Sequence, residues 1–455
     1  MKFIRPALPL VFFCLFVAQV FAQNNITLVW GTINKESART IILYEVTEGK
    51  RSEYANTRVD SEKRFAFALP SVKEGFYYIS DQYKNSFTRI YLRAGEKLEL
   101  QIHESGYDVV SGSRENKTLH EWFTSSYEIT GPAKNWLKDP STYVTYFPTL
   151  NAFVKKLPGI QSKLQTKNKS FNELLKLAID VDVEYAAMHF LLVPNTEHPK
   201  KEQYPDFYKS IIKPGKYPTA GLLRLGDGVA LLRTYATFNL LMNAVESKPG
   251  NRLLAHAALF GNDTLKGAFI ANSLSFKTYE ELEKNITPVK KYLVTDSMQA
   301  SYFRVLKSLA GFKKGSPSYN FSFEDIDGKN VSMEQLKGKV VLIDVWATWC
   351  GPCRVQIPHL KKLEEEFKGQ DIVFVSISTD APKDKDKWRN MVTKDQMGGI
   401  QLYAGSNNEL SKYYDIKSIP RFMVFDKDGK IITTDSPRPS EPELKELLQE
   451  LVKKG

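Results

Sequence analysis

The stretch that most constrains this chain runs from Val340 to Cys353, where an apolar segment leads directly into two cysteines separated by two residues. Residues 340–346 are apolar and rich in β-branched side chains, which predicts a buried strand. Apolar side chains then recur at helical spacing, which predicts an amphipathic helix: Val355, Ile357, Leu360, Leu363 and Phe367. The cysteine pair therefore lies where a strand passes into a helix.

The position of the pair predicts thiol–disulfide exchange. Cys350 would lie at the helix N-terminus, where unpaired N–H groups and the helix dipole favour its thiolate. Cys353 would lie one turn further in, close enough to attack a mixed disulfide and release the bound partner. Pro352 has no N–H to lose and is tolerated in a first helical turn. We therefore predict catalytic roles for Cys350 and Cys353 as a redox-active disulfide, with no bound cofactor.

Two other uses of the pair explain the sequence less well. A zinc site would need about four nitrogen or sulfur ligands, but Cys14 is the only other cysteine. His359 is on the same predicted helix, where a single histidine is more often a solvated surface residue, so no metal is predicted. A purely structural disulfide is the second alternative. It would close such a small loop that it would constrain the unfolded chain little.

The N-terminal residues have the pattern of a secretory signal. Lys2 and Arg5 precede an apolar run, Leu8–Val20, and small residues follow with Ala22 at the expected cleavage site. The apolar run is shorter than a membrane span, although an uncleaved anchor stays possible. We predict that residues 1–22 are a signal peptide and that the protein is exported to the periplasm or cell envelope. Cys14 would leave with the signal, so both remaining cysteines would belong to the pair in an oxidising compartment.

The charge of the chain is strongly uneven. The formal charge is +11, to which Lys2 and Arg5 contribute two. From Ser316 onward, 21 lysines and arginines stand against 22 aspartates and glutamates, so the basic excess lies before Ser316. It could suit an acidic partner or an anionic membrane surface, but a dispersed, solvated surface explains it better. No basic stripe with interleaved aromatic residues is present, so nucleic acid is not a predicted partner.

The chain is long enough for about three domains. Residues 23–112 contain short runs rich in β-branched and aromatic residues, which predict an all-β, sandwich-like domain. Four tyrosines there could form a binding face, but packing explains them better: Tyr77, Tyr78, Tyr83 and Tyr91. Residues 113–312 change to helical periodicity and predict an α-helical middle domain, with helices at 171–181, 222–245, 253–271, 279–293 and 298–309. Its histidines, His189 and His256, are on apolar stretches where core packing is expected.

Residues 313–455 predict an α/β domain. They begin with a short linker of breaker and polar residues, 313–318. A hairpin is predicted around residues 327–329, and residues 372–377 predict a second buried strand after the cysteine helix. Strands that alternate with helices indicate a mostly parallel sheet. A polar helix is predicted at residues 383–396.

The run from Asp344 to Cys353, with Trp346, Ala347 and Trp349 before the cysteines, resembles thioredoxin. The longer pattern from about Ser316 resembles the TlpA/ResA group of exported thiol–disulfide oxidoreductases, and the inserted polar helix is a feature of that group. The resemblance covers the last third of the chain. The β-rich region also resembles the domain often found ahead of such modules in Bacteroidetes-type exported proteins. The resemblance implies a C-terminal thioredoxin fold, protein thiols and disulfides as substrates, and a membrane thiol transporter as electron donor.

The same resemblance implies a substrate-binding surface beside the cysteines. Pro420 matches the cis-proline that faces the Cys-x-x-Cys in thioredoxin-like folds, and it would hold the Ile419 backbone near Cys350 for contact with a partner peptide. This surface is expected to comprise Trp349, Gly351, Pro352, Ile419 and Pro420. The Gly-Pro dipeptide is that of reducing thioredoxins, whose potential is about −270 mV. A protein-disulfide reductase is therefore expected.

Asp344 is the third predicted catalytic residue. It lies in an apolar run, and burial of a carboxylate without a partner raises its pKa. Such an acid could take the proton of the Cys353 thiol, as the buried aspartate of thioredoxin does. Members of the TlpA/ResA group often have a glutamate three residues after the second cysteine, where this chain has Gln356. Because Gln356 cannot titrate, the acid–base role falls to Asp344. The alternative for Asp344 is a carboxylate capped by hydroxyls without a kinetic role.

Two other functions stay open on sequence grounds. A thiol-dependent peroxidase shares the fold, but its threonine three residues before the reactive cysteine is replaced here by Ala347, with Thr348 displaced by one position. A ligand-binding protein with an accessory redox module is the other alternative. Residues 24–312 contain no motif that names a ligand.

Overall fold

The computed structural model describes residues 26–84, 86–134, 142–192, 199–243 and 252–453. They divide into two compact units. The first takes in Met1–Asn272 and Tyr292–Val294, and the second takes in Ser273–Lys291 and Thr295–Gly455. The predicted signal, residues 1–22, lies outside the described residues. Within the described part of the chain, no helix is both long enough and apolar enough to cross a membrane.

The first unit begins with two four-stranded sheets that share one core. One sheet has the order β4-β1-β7-β8 and the other β3-β2-β5-β6. The eight strands are β1 (Thr27–Asn34), β2 (Thr40–Thr47), β3 (Lys50–Arg58), β4 (Arg64–Leu69), β5 (Gly75–Asp81), β6 (Thr88–Leu92), β7 (Lys97–His103) and β8 (Gly106–Ser111). Alternate residues of both sheets, among them Val29, Leu43 and Leu98, point into a single apolar cluster. This confirms the predicted β-rich, sandwich-like region.

The described part of the first unit also contains seven α-helices. They are α1 (Arg114–Lys134), α2 (Tyr143–Lys163), α3 (Lys169–Leu192), α4 (Asp206–Ile211), α5 (Gly228–Asn243), α6 (Arg252–Ala257) and α7 (Asp263–Ala271). A mostly buried ion pair joins the strands to the helices. Arg89 on β6 donates hydrogen bonds of 2.8 and 2.9 Å to the two carboxylate oxygens of Asp182 on α3. The indole N–H of Trp122 on α1 donates to the same carboxylate at 2.8 Å.

The tyrosines and histidines that the sequence analysis singled out in the first unit are mainly packing residues. Tyr77, Tyr78 and Tyr91 are buried, and Tyr83 is exposed. The His189 ring nitrogen Nδ1 lies 2.8 Å from the Ala133 carbonyl oxygen. His256 is half-buried, and burial lowers its pKa. Packing, which the sequence favoured, is thus confirmed for the three buried tyrosines.

The second unit contains a seven-stranded mixed sheet of order β10-β9-β13-β12-β11-β14-β15. Its strands are β9 (Ser322–Asp325), β10 (Asn330–Ser332), β11 (Val340–Trp346), β12 (Ile372–Ser378), β13 (Ile400–Tyr403), β14 (Arg421–Phe425) and β15 (Ile431–Thr433). Its helices are α8 (Tyr279–Ile286), α9 (Asp296–Ala310), α10 (Gly351–Glu366), α11 (Lys385–Lys394), α12 (Glu409–Tyr413) and α13 (Pro442–Lys453). All seven residues of β11 are buried. The predicted α/β fold of this region is confirmed.

Both faces of this sheet are covered. On one face, Leu342 of β11 belongs to an apolar cluster with Leu360 of α10 and Leu444 of α13. On the other face, Ile343 belongs to a cluster with Leu410 of α12. β11 runs parallel to β12 and antiparallel to β14. β11, the strand that leads to the cysteines, is therefore an interior strand of the sheet, with a paired strand on each side and an apolar cluster on each face.

The helices of the middle region are more interrupted than their periodicity predicted. The stretch predicted as a helix from Leu222 contains a short 3-10 turn, Ala220–Arg224, and α5 begins only at Gly228. The stretch 253–271 is divided into α6 and α7, and the helix that begins at Tyr279 ends at Ile286. The last two residues of the predicted helix at 222–245 lie outside the described residues. Strands β3, β8 and β13 were not predicted.

Candidate active site

The turn from β11 into α10 places the two cysteines at a helix N-terminus. Cys350 is the N-cap residue, and the backbone N–H of Cys353 donates to its Sγ atom at 3.2 Å. The two sulfur atoms are bonded at 1.99 Å, with the Cα atoms 5.3 Å apart. Pro352 occupies the first turn, where it removes no helical hydrogen bond. A sulfur at this position receives an N–H donor and the positive end of the helix dipole.

The cysteines are buried among apolar side chains, but the residues between and beside them are exposed. Cys350 and Cys353 are 4% and 3% exposed, whereas Trp349 is 64% exposed. Gly351 and Pro352 are also exposed. The apolar surroundings of the pair are formed by Trp346, Ala347, Ile357, Trp388 and Val392, with Ile419 and Met391 packed against them. The pair thus lies beneath an exposed rim that includes Trp349, Gly351 and Pro352.

Asp344 lies on the face of the sheet that α10 covers. Its neighbours two residues away on β11 are Leu342, which packs with Leu360, and Trp346, which packs with Cys353. Because residues two apart in a strand share a face, the Asp344 side chain points toward the first turns of α10. In register beside it are Ser376 on β12 and Phe422 on β14.

The Asp344 carboxyl is an acid whose pKa is raised by burial. The residue is 4% exposed, and its Oδ1 atom has no hydrogen-bond partner. Burial raises the pKa of Asp344 to about 8, since the charged form would lie in a low-dielectric interior without a compensating donor. A carboxyl of this pKa can both accept and return a proton near neutral pH.

The other predicted residues lie in the loop that enters β14. The Ile419–Pro420 peptide bond is cis, as predicted. Both residues are partly exposed, and Ile419 packs against the cluster that contains the cysteines. The next residue, Arg421, donates to the Thr434 carbonyl oxygen at 3.2 Å and lies 3.4 Å from Asp435. The structure thus brings together the cysteine turn and the Ile419–Pro420 loop.

Gln356 is buried close to the cysteine pair, and its side chain accepts a backbone hydrogen bond. It is 5% exposed, and its Oε1 atom accepts the backbone N–H of Ser440 at 3.1 Å. A neutral amide at this position anchors the segment that leads to α13. It adds no charge to the site.

The sequence analysis missed a buried carboxylate, Asp380, two residues after the end of β12. Asp380 is 0% exposed and accepts hydrogen bonds from the backbone N–H and the hydroxyl of Thr348, at 3.0 and 2.8 Å. The Ser378 hydroxyl donates to its Oδ2 atom at 2.8 Å. The available signal was weak: β11 and β12 are consecutive parallel strands, so their ends meet at one edge of the sheet, and Ser-x-Asp follows the second strand.

Within residues 26–84, 86–134, 142–192, 199–243 and 252–453, no group of three or more histidine, cysteine, aspartate or glutamate side chains is arranged to hold a metal ion. His359 lies on the exposed side of α10. The chemistry that this arrangement supports is sulfur exchange next to a buried acid.

Comparison with known proteins finds relatives of the second unit. Residues 313–451 match the protein family described as Redoxin. The thioredoxin-like protein YneN of Bacillus subtilis is 30% identical over 126 residues, which are 28% of this chain and 72% of that protein. The thiol-disulfide oxidoreductase ResA of Bacillus thuringiensis is 26% identical over 137 residues, which are 30% of this chain and 78% of that protein. The solution structure of a putative thiol-disulfide oxidoreductase from Bacteroides vulgatus is 52% identical, covers 31% of this chain and 93% of its own, and has a TM-score of 0.28.

Proposed function

The chain belongs to the TlpA/ResA-like group of the thioredoxin family of thiol–disulfide oxidoreductases, and from that premise we propose that it reduces disulfides in exported client proteins. The observation that carries the proposal is the cysteine pair at a helix N-terminus, together with a buried acid, Asp344, on the sheet face that the same helix covers, where burial raises its pKa to about 8. Cys350 and Cys353 are the exchanging residues, and Asp344 moves the proton. The products are a reduced client and the disulfide form of this protein.

The proposed reaction has two steps. In the reduced protein the Cys350 thiolate attacks one sulfur of the client disulfide, which forms a mixed disulfide and releases the first client thiolate. Cys353 then gives its proton to the Asp344 carboxylate and attacks the Cys350 sulfur. This breaks the mixed disulfide and releases the second client thiolate. Two electrons pass to the client, and an external dithiol must reduce the Cys350–Cys353 disulfide for the next cycle.

Client binding is proposed for the exposed rim around the pair, which comprises Trp349, Gly351, Pro352, Ile419 and Pro420. Trp349 is the largest of these side chains and is 64% exposed. Exposed tryptophans near the centre of an interface often contribute most of its binding energy. A client chain that packs against this rim would lie beside the sulfur atoms.

Replacing Trp349 with alanine is expected to raise KM for a protein disulfide about thirtyfold, because a central tryptophan can contribute about 2 kcal/mol to binding. The rate at which iodoacetamide alkylates Cys350 should stay unchanged. Insulin reduction and alkylation kinetics measure the two quantities. Phe303→Ala is the matched control, since Phe303 is a 55% exposed aromatic residue on α9. An unchanged KM in Trp349→Ala would remove this residue from the binding surface.

The reducing direction is proposed from the Gly351-Pro352 dipeptide and is tested by the potential. Titration of the disulfide against glutathione or dithiothreitol should give a midpoint near about −270 mV, the value of thioredoxin. A midpoint as oxidising as about −120 mV, that of DsbA, would reverse the proposed direction.

We further propose that the protein acts in the periplasm or cell envelope, with a membrane thiol transporter as its dithiol donor. The support is the signal pattern of residues 1–22, together with a chain whose only other cysteines form the pair. Detection of the mature protein in a periplasmic fraction, with an N-terminus near Gln23, tests the location. An intact N-terminus in the cytoplasmic fraction would contradict it.

The peroxidase alternative receives no support from the site. The Thr348 hydroxyl donates to the buried Asp380 carboxylate, so it is engaged away from any substrate of Cys350. Peroxide turnover is therefore not proposed. An assay with hydrogen peroxide as oxidant should show no consumption beyond that of a free dithiol.

A further inference from the structure

The segment before Cys350 is held by three consecutive residues at the end of β12, Ser378–Thr379–Asp380. The Thr379 backbone N–H and hydroxyl both donate to the Trp346 carbonyl oxygen, at 2.9 and 3.1 Å. The Asp380 carboxylate accepts the backbone N–H and the hydroxyl of Thr348. The turn that leads from β11 to Cys350 is therefore hydrogen-bonded to this segment at two points, Trp346 and Thr348.

The Asp380 carboxylate is itself held in one orientation. The Ser378 hydroxyl donates to its Oδ2 atom at 2.8 Å and accepts the backbone N–H of Asp380 at 3.1 Å. The Tyr403 hydroxyl on β13 donates to the Asp380 carbonyl oxygen at 3.0 Å. A fully buried carboxylate is costly unless its oxygens accept several hydrogen bonds, and here the side chain and backbone of Thr348 supply most of them. Hydrogen bonds to a charged acceptor are stronger than neutral ones, so this contact is a firm anchor.

We propose that Asp380, acting through Thr348, is the positioning residue that keeps the Cys350 sulfur at the tip of α10. The inference rests on the proposed exchange at Cys350. Thr348 is two residues before Cys350. Among the hydrogen bonds that the structure describes, the only backbone bond between Cys350 and the turn before it runs from the Cys350 N–H to the Ala347 carbonyl oxygen, at 3.0 Å. Without the anchor at Thr348 the turn could rotate and move the sulfur away from the N–H groups that stabilise its thiolate.

Asp380 could affect Cys350 by holding the turn or by its negative charge. The two roles predict opposite effects of removing Asp380 on the alkylation of Cys350, so an experiment can separate them. If Asp380 acts mainly as a negative charge near the pair, its removal would stabilise the Cys350 thiolate and speed alkylation at neutral pH. If Asp380 holds the turn, its removal would let the sulfur leave the helix tip, and alkylation would slow. The proposal is the second case.

In the full-length reduced protein, Asp380→Ala is expected to slow alkylation of Cys350 by iodoacetamide at pH 7 about tenfold. It should also lower kcat/KM for insulin reduction about tenfold to a hundredfold, since a misplacement of about 1 Å can have that effect. Thr348→Val, which removes one donor and leaves the carboxylate, should lower both quantities in the same direction by a smaller factor. Thr348→Ser keeps the hydroxyl and should restore wild-type values. The midpoint of the pH profile of Cys350 alkylation should move to higher pH in Asp380→Ala and Thr348→Val but not in Thr348→Ser.

Asp380→Asn and a remote control complete the test. The asparagine keeps an oxygen for Thr348 and loses the charge, so it should retain alkylation within about threefold of wild type, because the geometry of the acceptor persists. Asn408→Ala is the control for a general loss of stability: Asn408 is 5% exposed and its Oδ1 atom accepts the Ser411 N–H at 2.8 Å. It should lower Tm without altering alkylation of Cys350.

Faster or unchanged alkylation in both Asp380→Ala and Thr348→Val would overturn the proposal, as would equal effects of Asn408→Ala and Asp380→Ala on alkylation. Failure of the wild-type protein to reduce insulin would instead refute the proposed function. The alkylation ratios need no client, so the two failures can be told apart.

Discussion

Replacement of Cys350 by alanine is expected to lower the rate of insulin reduction at least about a thousandfold, since removal of a covalent nucleophile typically has an effect of that size or larger. The reason is that the Cys353 sulfur lies one turn inside α10, away from the N-cap position that favours a thiolate at Cys350. The turbidity of precipitating insulin chains, followed with dithiothreitol as reductant and corrected for its own reaction, measures the rate.

Cys353→Ala is the matched variant, because it keeps the attacking sulfur and removes the releasing one. It should form a mixed disulfide with insulin that persists through non-reducing electrophoresis and disappears on addition of dithiothreitol. Retention of full activity in Cys350→Ala would contradict the proposed order of the two sulfur atoms. Trapping of insulin by Cys350→Ala rather than by Cys353→Ala would do so as well.

Stability against pH should show the buried acid directly. Burial raises the pKa of Asp344 from 3.8 to about 8, so between these values the folded state binds a proton that the unfolded state has lost. The free energy of unfolding then falls as pH rises. The loss begins near pH 4 and is complete near pH 8, and it adds up to about 6 kcal/mol, since one pKa unit corresponds to about 1.4 kcal/mol. Asp344→Asn should remove this decline.

Urea unfolding of the oxidised protein at several pH values measures this decline without interference from free thiols. Asp386→Asn is the control, because Asp386 is an exposed carboxylate on α11, and its variant should keep the wild-type slope. An Asp344→Asn protein whose stability declines between pH 4 and pH 8 as steeply as the wild type would exclude Asp344 as the source. In the reduced protein, Asp344→Asn should also slow release of insulin from the mixed disulfide near neutral pH, where the carboxylate accepts the Cys353 proton.

The second unit could be predicted from sequence because its strongest patterns are local. The apolar run of β11 and the periodicity of α10 specify the strand, the helix and the turn between them. Asp344 stood out as a charge in that run, and its burial is confirmed. Trp349, Gly351 and Pro352 belong to the same turn, whereas Ile419 and Pro420 were proposed as part of the binding surface only through resemblance, because nothing local links them to the cysteines.

The interruptions of the helical region depend on close backbone approaches that periodicity does not record. A Cβ atom on Gly228 would lie 2.1 Å from the Leu222 carbonyl oxygen, and one on Gly261 would lie 2.4 Å from the Gly215 carbonyl oxygen. The chain therefore folds back on itself at both glycines, although apolar residues continue on each side. β3 was missed for a different reason: it is an edge strand without a buried face, so its sequence shows no alternation.

Asp380 shows the corresponding difficulty for the site. In sequence it is one aspartate among polar residues, 30 positions after Cys350. Its importance arises only when parallel pairing brings the end of β12 beside the end of β11. A hydroxyl two residues before a cysteine gives no indication of its acceptor. Such pairs become visible through tertiary structure alone.

The contact of Arg89 with Asp182 and Trp122 has a consequence for how such proteins can be recombined. The strand region and the helical region of the first unit are not expected to be exchangeable modules, because each supplies half of a charge pair that is mostly removed from solvent. A chimera that joins residues 26–111 to foreign helices would leave a guanidinium without its carboxylate, at a cost of up to about 3 kcal/mol. Inheritance of the two regions as one block is therefore favoured over their separate transfer.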